Sequence, residues 1–114
     1  MRAEDAVERY LAALREQDWE ALAATLEPDV RRIGPYGDVY ESREPYVAYL
    51  AEIFRTLQGY ELAVARLIVA GDVAVVELSE TIDTPAGRRR TDEVVVFDLS
   101  ASGLIGRIGV YLRR

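Results

Sequence analysis

The second half of the chain contains four runs rich in apolar and β-branched residues, each separated from the next by a turn signal. In order, the runs are YELAVARLIVA, VAVVELSETI, RTDEVVVFDL and LIGRIGVYL, and the separators are GD, DTPAGR and SASG. Runs of this composition favour strands, and separators this short favour hairpins between them. From Tyr60 onward, the sequence therefore predicts four strands joined by hairpins.

The first half shows the periodicity of helices. Over residues 4–17, apolar side chains recur at positions i, i+3, i+4 and i+7, as in an amphipathic helix. Asp18 is suited to cap a second, short helix that ends at Pro28, and residues 30–36 are expected to form a short strand. Ser42 is suited to cap a third helix. The order α-α-β-α-β-β-β-β predicts an α+β domain in which three helices pack against one face of a curved antiparallel sheet.

The length of the chain and the faces of its strands bear on its organisation. With 114 residues, positions 1–114 suit one domain around a single core. The run VAVVELSETI is apolar on both faces, whereas a sheet with one face in water alternates more cleanly. A second copy of the chain would cover the outer face, so we expect a homodimer joined through that face.

The composition excludes several classes of chemistry and of partner. The chain has no Cys and no His, and all 14 of its basic residues are arginine. Cysteine nucleophiles, disulfides, Cys/His zinc sites, histidine triads and lysine Schiff bases are thereby excluded. A net charge of −6 argues against a nucleic-acid or anionic-membrane partner. No apolar run approaches the ~20 residues of a membrane span, and the N-terminus lacks the apolar stretch of a signal peptide, so a cytoplasmic location is expected.

The helical first half also carries a family resemblance. The segment AVERYLAALREQDWEALAATLEPDV, followed by a short strand and GPYG, resembles the nuclear transport factor 2-like superfamily, most closely its SnoaL-like and ketosteroid isomerase-like branch. The resemblance spans nearly the whole chain. It implies a cone, an α+β barrel in which a curved sheet and three helices enclose an apolar pocket, often in a dimer. Members include isomerases, dehydratases, polyketide cyclases, epoxide hydrolases and non-catalytic binding modules, so the fold alone does not select a reaction.

Steroid isomerases of this branch supply three positions for comparison. Their oxyanion-binding tyrosine stands in a context like YLAAL, which places Tyr10 there. Their proton-abstracting aspartate precedes a proline on the first strand, where this chain has Gly34 before Pro35. Their second oxyanion acid aligns with Val95. Because proton transfer needs a carboxylate near the substrate proton, the resemblance does not predict steroid isomerisation.

Limonene-type epoxide hydrolases of the same superfamily use an arginine and two aspartates on the last strands. The matching positions in this chain hold Glu77, Ser79 and Val110. That triad is absent as well.

An ungapped alignment with the family also implies which strand faces line the pocket. It turns Glu77 inward on one strand and Glu93 inward on the next, nearly opposite each other, with Cβ atoms ~5 Å apart. Two carboxylates this close do not both ionise unless a cation lies between them, and Arg32 is the expected cation. Tyr10 would complete the catalytic set by donating to a developing oxyanion.

Two alternatives remain open for these residues. The arginine and the glutamates would form the same cluster if it were a purely structural ion network, because buried charges are rarely left unpaired. The opposite strand face would instead turn Glu80 and Asp92 inward.

The other expected site residues would line the substrate pocket. They are Trp19, Tyr36, Leu50, Phe54, Ser79, Val95, Phe97 and Ile108. Tyr36 is also an alternative oxyanion donor to Tyr10. We expect no metal and no cofactor, because an acid–base carboxylate pair needs neither. The expected function is a cofactor-independent isomerase, lyase, cyclase or epoxide hydrolase acting on a small apolar molecule, or alternatively a non-catalytic ligand-binding or dimerisation module.

Overall fold

The computed structural model describes residues 2–113, which form three helices and six strands. The helices are α1 (Ala3–Glu16), α2 (Trp19–Ala23) and α3 (Arg43–Phe54). The strands are β1 (Leu26–Ile33), β2 (Val39–Tyr40), β3 (Glu61–Ala70), β4 (Val73–Thr84), β5 (Gly87–Leu99) and β6 (Ile105–Arg113). This is the α+β arrangement of three helices and a curved sheet that the sequence predicts, with one further short strand, β2, that the predicted order α-α-β-α-β-β-β-β lacks.

All six strands belong to one sheet with the order β2-β1-β6-β5-β4-β3. The last four strands pair antiparallel with their chain neighbours, as the hairpin signals predict. The pair β1–β6 is parallel. These two strands are far apart in the sequence, since β2, α3 and the strands β3 to β5 lie between them. The sheet is open, with β2 and β3 at its edges, and its curvature forms a concave face on which the helices pack.

The segment between α2 and β1 differs from its sequence prediction. The side chain of Asp18 accepts a hydrogen bond from Ala21 N at 3.1 Å and caps α2, as expected. However, α2 ends at Ala23 and β1 already begins at Leu26, so Pro28 lies within a strand rather than at a helix end. The β1–β6 register shifts between Leu26 and Arg31, which accommodates the proline because it has no N–H to donate to the ladder.

The core lies between the helices and the concave face. From α1 and α3 it receives Val7, Leu11 and Leu50, and from the sheet it receives Val76 and Phe97. The side chains that enter the core are the even-numbered residues of β4 and the odd-numbered residues of β5, because successive strand residues point to opposite faces. Within residues 2–113, no helix combines the length and apolar character needed to cross a membrane.

Candidate functional site

A cavity of ≈350 Å³ lies between the helices and the concave face of the sheet. Its walls come from α1, α3, the β1–β2 turn and strands β3 to β6. Most of the lining is aliphatic or aromatic, and its polar side chains include three groups held by hydrogen bonds or an ion pair. A mainly apolar cavity with a few polar groups is the usual form of a small-molecule site.

Nine of the expected site residues lie on the wall of this cavity. They are Tyr10, Arg32, Tyr36, Leu50, Phe54, Glu93, Val95, Phe97 and Ile108. Tyr36 stands at the edge and is 76% exposed, so it does not offer the buried donor that an oxyanion needs. Trp19 is not on the wall, because its ring packs edge-on behind Phe54, with centroids 5.3 Å apart.

The expected pairing of Glu77 with Glu93 is wrong. Glu93 lies opposite Leu78, while Glu77 lies opposite Val94 and faces the outer side of the sheet. There Arg66 Nε donates to Glu77 Oε1 at 2.9 Å, and this hydrogen bond lowers the pKa of Glu77. Glu77 is therefore part of a surface ion pair and does not reach the cavity.

Ser79 is misplaced for the same reason, since it lies on the outer face opposite Asp92. The β3–β4 register shifts between Val64 and Arg66, so β3 carries one extra residue there. An ungapped alignment makes no allowance for such a bulge, and a shift of one residue turns every following side chain to the other face. On β4, the inward face is the one that carries Glu80, as the alternative prediction has it. On β5, Asp92 faces outward, so that part of the alternative prediction is wrong.

The first polar group on the wall is a pair of glutamates with a tyrosine. Glu80 on β4 and Glu93 on β5 are diagonal neighbours on the inward face, because Glu80 lies opposite Thr91. The hydroxyl of Tyr60 donates a hydrogen bond to Glu80 Oε2. Glu93 is 9% exposed, and burial raises its pKa to about 9, with further contributions from the hydrogen bond to Glu80 and from the charge of Glu80. A pKa of about 9 means that Glu93 keeps its proton at neutral pH, next to the carboxylate of Glu80.

Tyr60 remains a hydrogen-bond donor throughout the physiological range. Burial raises its pKa, and the negative charge of Glu80 raises it further. The sequence analysis does not include Tyr60 among the expected site residues. In the structure its ring packs against Phe54 with centroids 4.7 Å apart, and this contact directs the hydroxyl toward Glu80.

The second polar group is a pair of phenols. Tyr10 on α1 and Tyr46 on α3 are buried, and their hydroxyl oxygens are 2.5 Å apart. Burial raises the pKa of Tyr46 to about 12 and raises that of Tyr10 well above its usual range. The ring of Tyr10 packs edge-on against Phe97, with centroids 5.3 Å apart. Two neutral phenols held in this way offer a hydroxyl donor to an oxygen atom in the cavity.

The third polar group is an ion pair in the β1–β2 turn. Arg32 Nη1 lies 2.6 Å from Asp38 Oδ2, and the side chain of Arg32 is 12% exposed. Its guanidinium carbon lies 5.8 Å and 5.6 Å from the ring centroids of Tyr46 and Tyr49. The expectation that Arg32 lies between Glu77 and Glu93 is thus wrong. Its partner is Asp38, which the sequence prediction missed.

Gly34 makes this ion pair possible. A Cβ atom on Gly34 would overlap with the carboxylate of Asp38 and with Nη1 of Arg32. The turn is closed by a hydrogen bond from Gly34 N to Asp38 O at 2.8 Å, which brings Asp38 back over the glycine. The position at which steroid isomerases carry their base is therefore filled by the ion pair.

The three polar groups act on one another electrostatically. The charge of Arg32 lowers the pKa of Glu93 and also that of Tyr10 and of Tyr46, in each case against the larger effect of burial. Such an arrangement offers a carboxylate that can accept a proton, a carboxylic acid that can donate one, and phenols that can stabilise an oxyanion. Among residues 2–113, no three His, Cys, Asp or Glu side chains come together as a candidate metal site.

Sequence reasoning left out four polar residues of the site. These are Asp38, Tyr46 as a hydrogen-bonding group, Tyr60 and Glu80. Glu80 was named only as the alternative face of its strand, and Tyr46 lies on the helix that is predicted after Ser42. No local pattern indicates Asp38 or Tyr60, since their contacts depend on a turn and on a ring packing that only the folded chain defines.

Residues 7–108 match the family model of the SnoaL-like domain. No curated protein matches significantly. A structure from Kribbella flavida DSM 17836, provisionally assigned as a ketosteroid isomerase, is 25% identical, with a TM-score of 0.86 over 98% of this chain and 78% of that chain. An LEH-like epoxide hydrolase from M. tuberculosis is 21% identical, with a TM-score of 0.84 over 97% and 82%.

A third structure, a nuclear transport factor 2-like protein of unknown function from Burkholderia pseudomallei K96243, is 19% identical. Its TM-score is 0.86 over 99% of this chain and 92% of that chain. At these identities the hydrolase and the Burkholderia protein are evidence for the fold alone.

Proposed function

The chain belongs to the family of SnoaL-like domains, and on that premise we propose that it is a cofactor-independent acid–base enzyme. Its substrate is a small, largely apolar carbonyl compound that binds in the cavity, and its reaction moves a proton from one substrate atom to another. The observation that carries this proposal is the placement of Glu80 and Glu93 as neighbouring carboxyl groups on the wall of an apolar cavity, where burial raises the pKa of Glu93.

The proposed chemistry begins with proton abstraction next to the carbonyl group. Glu80 accepts the proton, the electron pair of the broken C–H bond forms a C=C bond to the carbonyl carbon, and the carbonyl π pair moves onto the oxygen to give an enolate. That oxygen accepts a hydrogen bond from the phenol pair Tyr10–Tyr46, whose neutral hydroxyls remain donors because burial raises their pKa. The carboxyl pair then returns a proton to a different substrate atom, so the net change is an isomerisation.

Glu93 adjusts the basicity of Glu80 in this proposal. A protonated Glu93 donates a hydrogen bond to Glu80, as does Tyr60 from the other side. Both hydrogen bonds hold the Glu80 carboxylate in a fixed orientation toward the cavity. General acid–base catalysis by a positioned carboxylate typically contributes ~10²–10⁴-fold to a rate.

The proposed base lies on β4 and not on the first strand. The first strand offers no base at Gly34, because the Arg32–Asp38 ion pair occupies that space. The carboxylate that faces the cavity comes instead from β4. A substrate would therefore present its acidic C–H to β4, and its oxygen to α1 and α3.

The test is exchange of the α-protons of 2-tetralone in deuterated buffer, followed by NMR. This ketone is apolar and has acidic α-protons, so it reports proton abstraction without knowledge of the natural substrate. We expect Glu80→Gln to lower the enzyme-dependent exchange rate at least ~100-fold. Glu77→Gln is the matched control, since Glu77 is on the same strand but faces outward, and we expect it to leave the rate unchanged.

The alternative function is a ligand-binding module without chemistry, which the loss of a base at Gly34 favours. Binding of 2-tetralone without any exchange above the buffer rate would support this alternative and contradict the enzyme. Equal loss of exchange in Glu80→Gln and Glu77→Gln would contradict the assigned base.

We also propose that the chain forms a homodimer through the outer face of the sheet. Ile68 and Tyr111 are large, exposed apolar residues on that face, and Tyr111 is 54% exposed. Two ion pairs flank them, Arg66–Glu77 and Arg107–Asp98. An isologous contact would bury the apolar residues of both copies at once.

A further inference from the structure

The tip of the β4–β5 hairpin carries three consecutive arginines in different surroundings. Arg88 contacts Asp83 and Glu61, both at 2.6 Å, on the outer side. Arg90 contacts Asp92 at 2.8 Å, also on the outer side. These two residues are neutralised locally.

Arg89 points the other way. It lies opposite Ile82, and both side chains line the cavity near its opening. Thr91, Glu93 and Val95 continue the same face of β5 into the cavity. Among residues 2–113, Arg89 forms no ion pair and no side-chain hydrogen bond, whereas the other arginine on the wall, Arg32, is paired.

The charges along the cavity are therefore separated, with negative charge at the inner wall and positive charge at Arg89. The inner wall holds the negative charge of Glu80 and, next to it, Glu93, which burial keeps protonated by raising its pKa. Arg32 is offset by Asp38. The opening holds the uncompensated positive charge of Arg89, and apolar side chains such as Ile82 and Leu57 line the wall nearby.

The spacing sets the size of a ligand that would use both ends. Arg89 is two residues from Thr91, the residue opposite Glu80, and four residues from Glu93. At ~3.4 Å per residue these separations are about 7 Å and about 14 Å along the strand. A ligand whose reacting carbon lies at the carboxyl pair would have its far end at Arg89 after a chain of roughly five to ten carbon atoms.

We propose that Arg89 binds the carboxylate of an amphipathic monocarboxylic acid whose apolar part fills the cavity. The guanidinium group fits a carboxylate in a bidentate geometry. The negative charge of the inner glutamates repels a carboxylate, so the acid enters with its apolar end first. This inference deepens the proposed function, and it rests on that function only in placing the substrate in the same cavity.

The test measures binding rather than turnover, with octanoate and 1-octanol as probes. Each displaces the neutral fluorescent dye N-phenyl-1-naphthylamine from the wild type, from Arg89→Gln and from Arg90→Gln. We expect the wild type to bind octanoate about fivefold more tightly than 1-octanol, as for a partly exposed ion pair. Arg89→Gln loses this preference. Arg90→Gln, which makes the same charge change one residue away, keeps it.

Salt gives a second readout. Octanoate binding by the wild type weakens from low to high ionic strength, because the contact with Arg89 is partly screened, whereas 1-octanol binding does not. An equal preference for octanoate in Arg89→Gln and in the wild type would overturn the inference, as would failure of octanoate to displace the dye. Octanoate binding through Arg89 without exchange of 2-tetralone would support the inference and contradict the proposed chemistry, so the two failures are distinguishable.

Discussion

Replacing Glu93 with glutamine removes a buried ionisable group and keeps a side chain of the same size that can still donate a hydrogen bond to Glu80. In the folded chain, burial and the neighbouring Glu80 raise the pKa of Glu93 from 4.5 to about 9. In the unfolded chain the group returns to its ordinary value. Between these two values, the folded state holds a proton that the unfolded state has released.

This difference makes the stability of the wild type depend on pH. Because the folded-state pKa is the higher one, the contribution of Glu93 is fully present below about pH 4.5 and is lost as the pH rises toward about 9. One pKa unit corresponds to about 1.4 kcal/mol, so the free energy of unfolding should fall by roughly 2–3 kcal/mol from about pH 6 to about pH 8. That is a large part of the ~5–15 kcal/mol that stabilises a domain of this size.

The assay is urea unfolding of the wild type and of Glu93→Gln across this pH range. The variant lacks the titrating group, so its stability should change much less with pH, and it should exceed that of the wild type at the alkaline end. Glu80, Tyr60 and Arg32, which surround the site, are the same in both proteins and largely cancel in the difference. Glu77→Gln is the control, since it removes an exposed glutamate and should retain the pH profile of the wild type.

Parallel profiles for the wild type and Glu93→Gln would refute the reasoning. They would mean that Glu93 is ionised in the folded chain at neutral pH, as an exposed glutamate is. Glu93 would then not be a protonated partner of Glu80, and the proposed acid–base pair would have no basis.

Three further outcomes are expected. Gly34→Ala should lower the free energy of unfolding by roughly 1–3 kcal/mol, because the new Cβ displaces the Arg32 ion pair. Gly106→Ala is the control and should cost less, because its Cβ has only an ordinary contact. Equal losses in urea melts would be evidence against the role of Gly34. Tyr46→Phe should slow 2-tetralone exchange about 100-fold with little effect on 2-tetralone binding, and an unchanged rate would remove the phenols from the mechanism. Light scattering should show a dimer for the wild type and a monomer for Tyr111→Glu, and a monomeric wild type would contradict the proposed assembly.

The fold follows from local signals in this chain. The hairpin separators after Ala70, Ile82 and Leu99 give the antiparallel order of β3 to β6, and Asp18 marks the start of α2. The period of α1 is strong because this helix buries one stripe of side chains. The exception is the start of β1, where Pro28 indicates a helix end but stands in a strand at an irregular part of the ladder.

The site is less accessible to sequence reasoning, and β4 shows why. Its two faces are similarly apolar, with Val75 and Glu77 on one and Val76 and Glu80 on the other, so alternation does not select the inward face. The bulge near Ala65 shifts the β3–β4 register by one residue, which the alternation of either strand does not reveal. Composition and pattern describe each strand alone, whereas the identity of the catalytic candidate depends on register.

The central claim, that Glu93 keeps its proton at neutral pH beside Glu80, is tested most directly by NMR titration of the side-chain carboxyl carbons in protein labelled with ¹³C-glutamate. Comparison with Glu93→Gln and with Glu80→Gln assigns the two resonances. We expect the Glu93 carboxyl carbon to have the chemical shift of a protonated acid at neutral pH and to titrate with an apparent pKa raised to about 9. Titration of both carboxyl groups near the ordinary value of about 4.3 would contradict the claim.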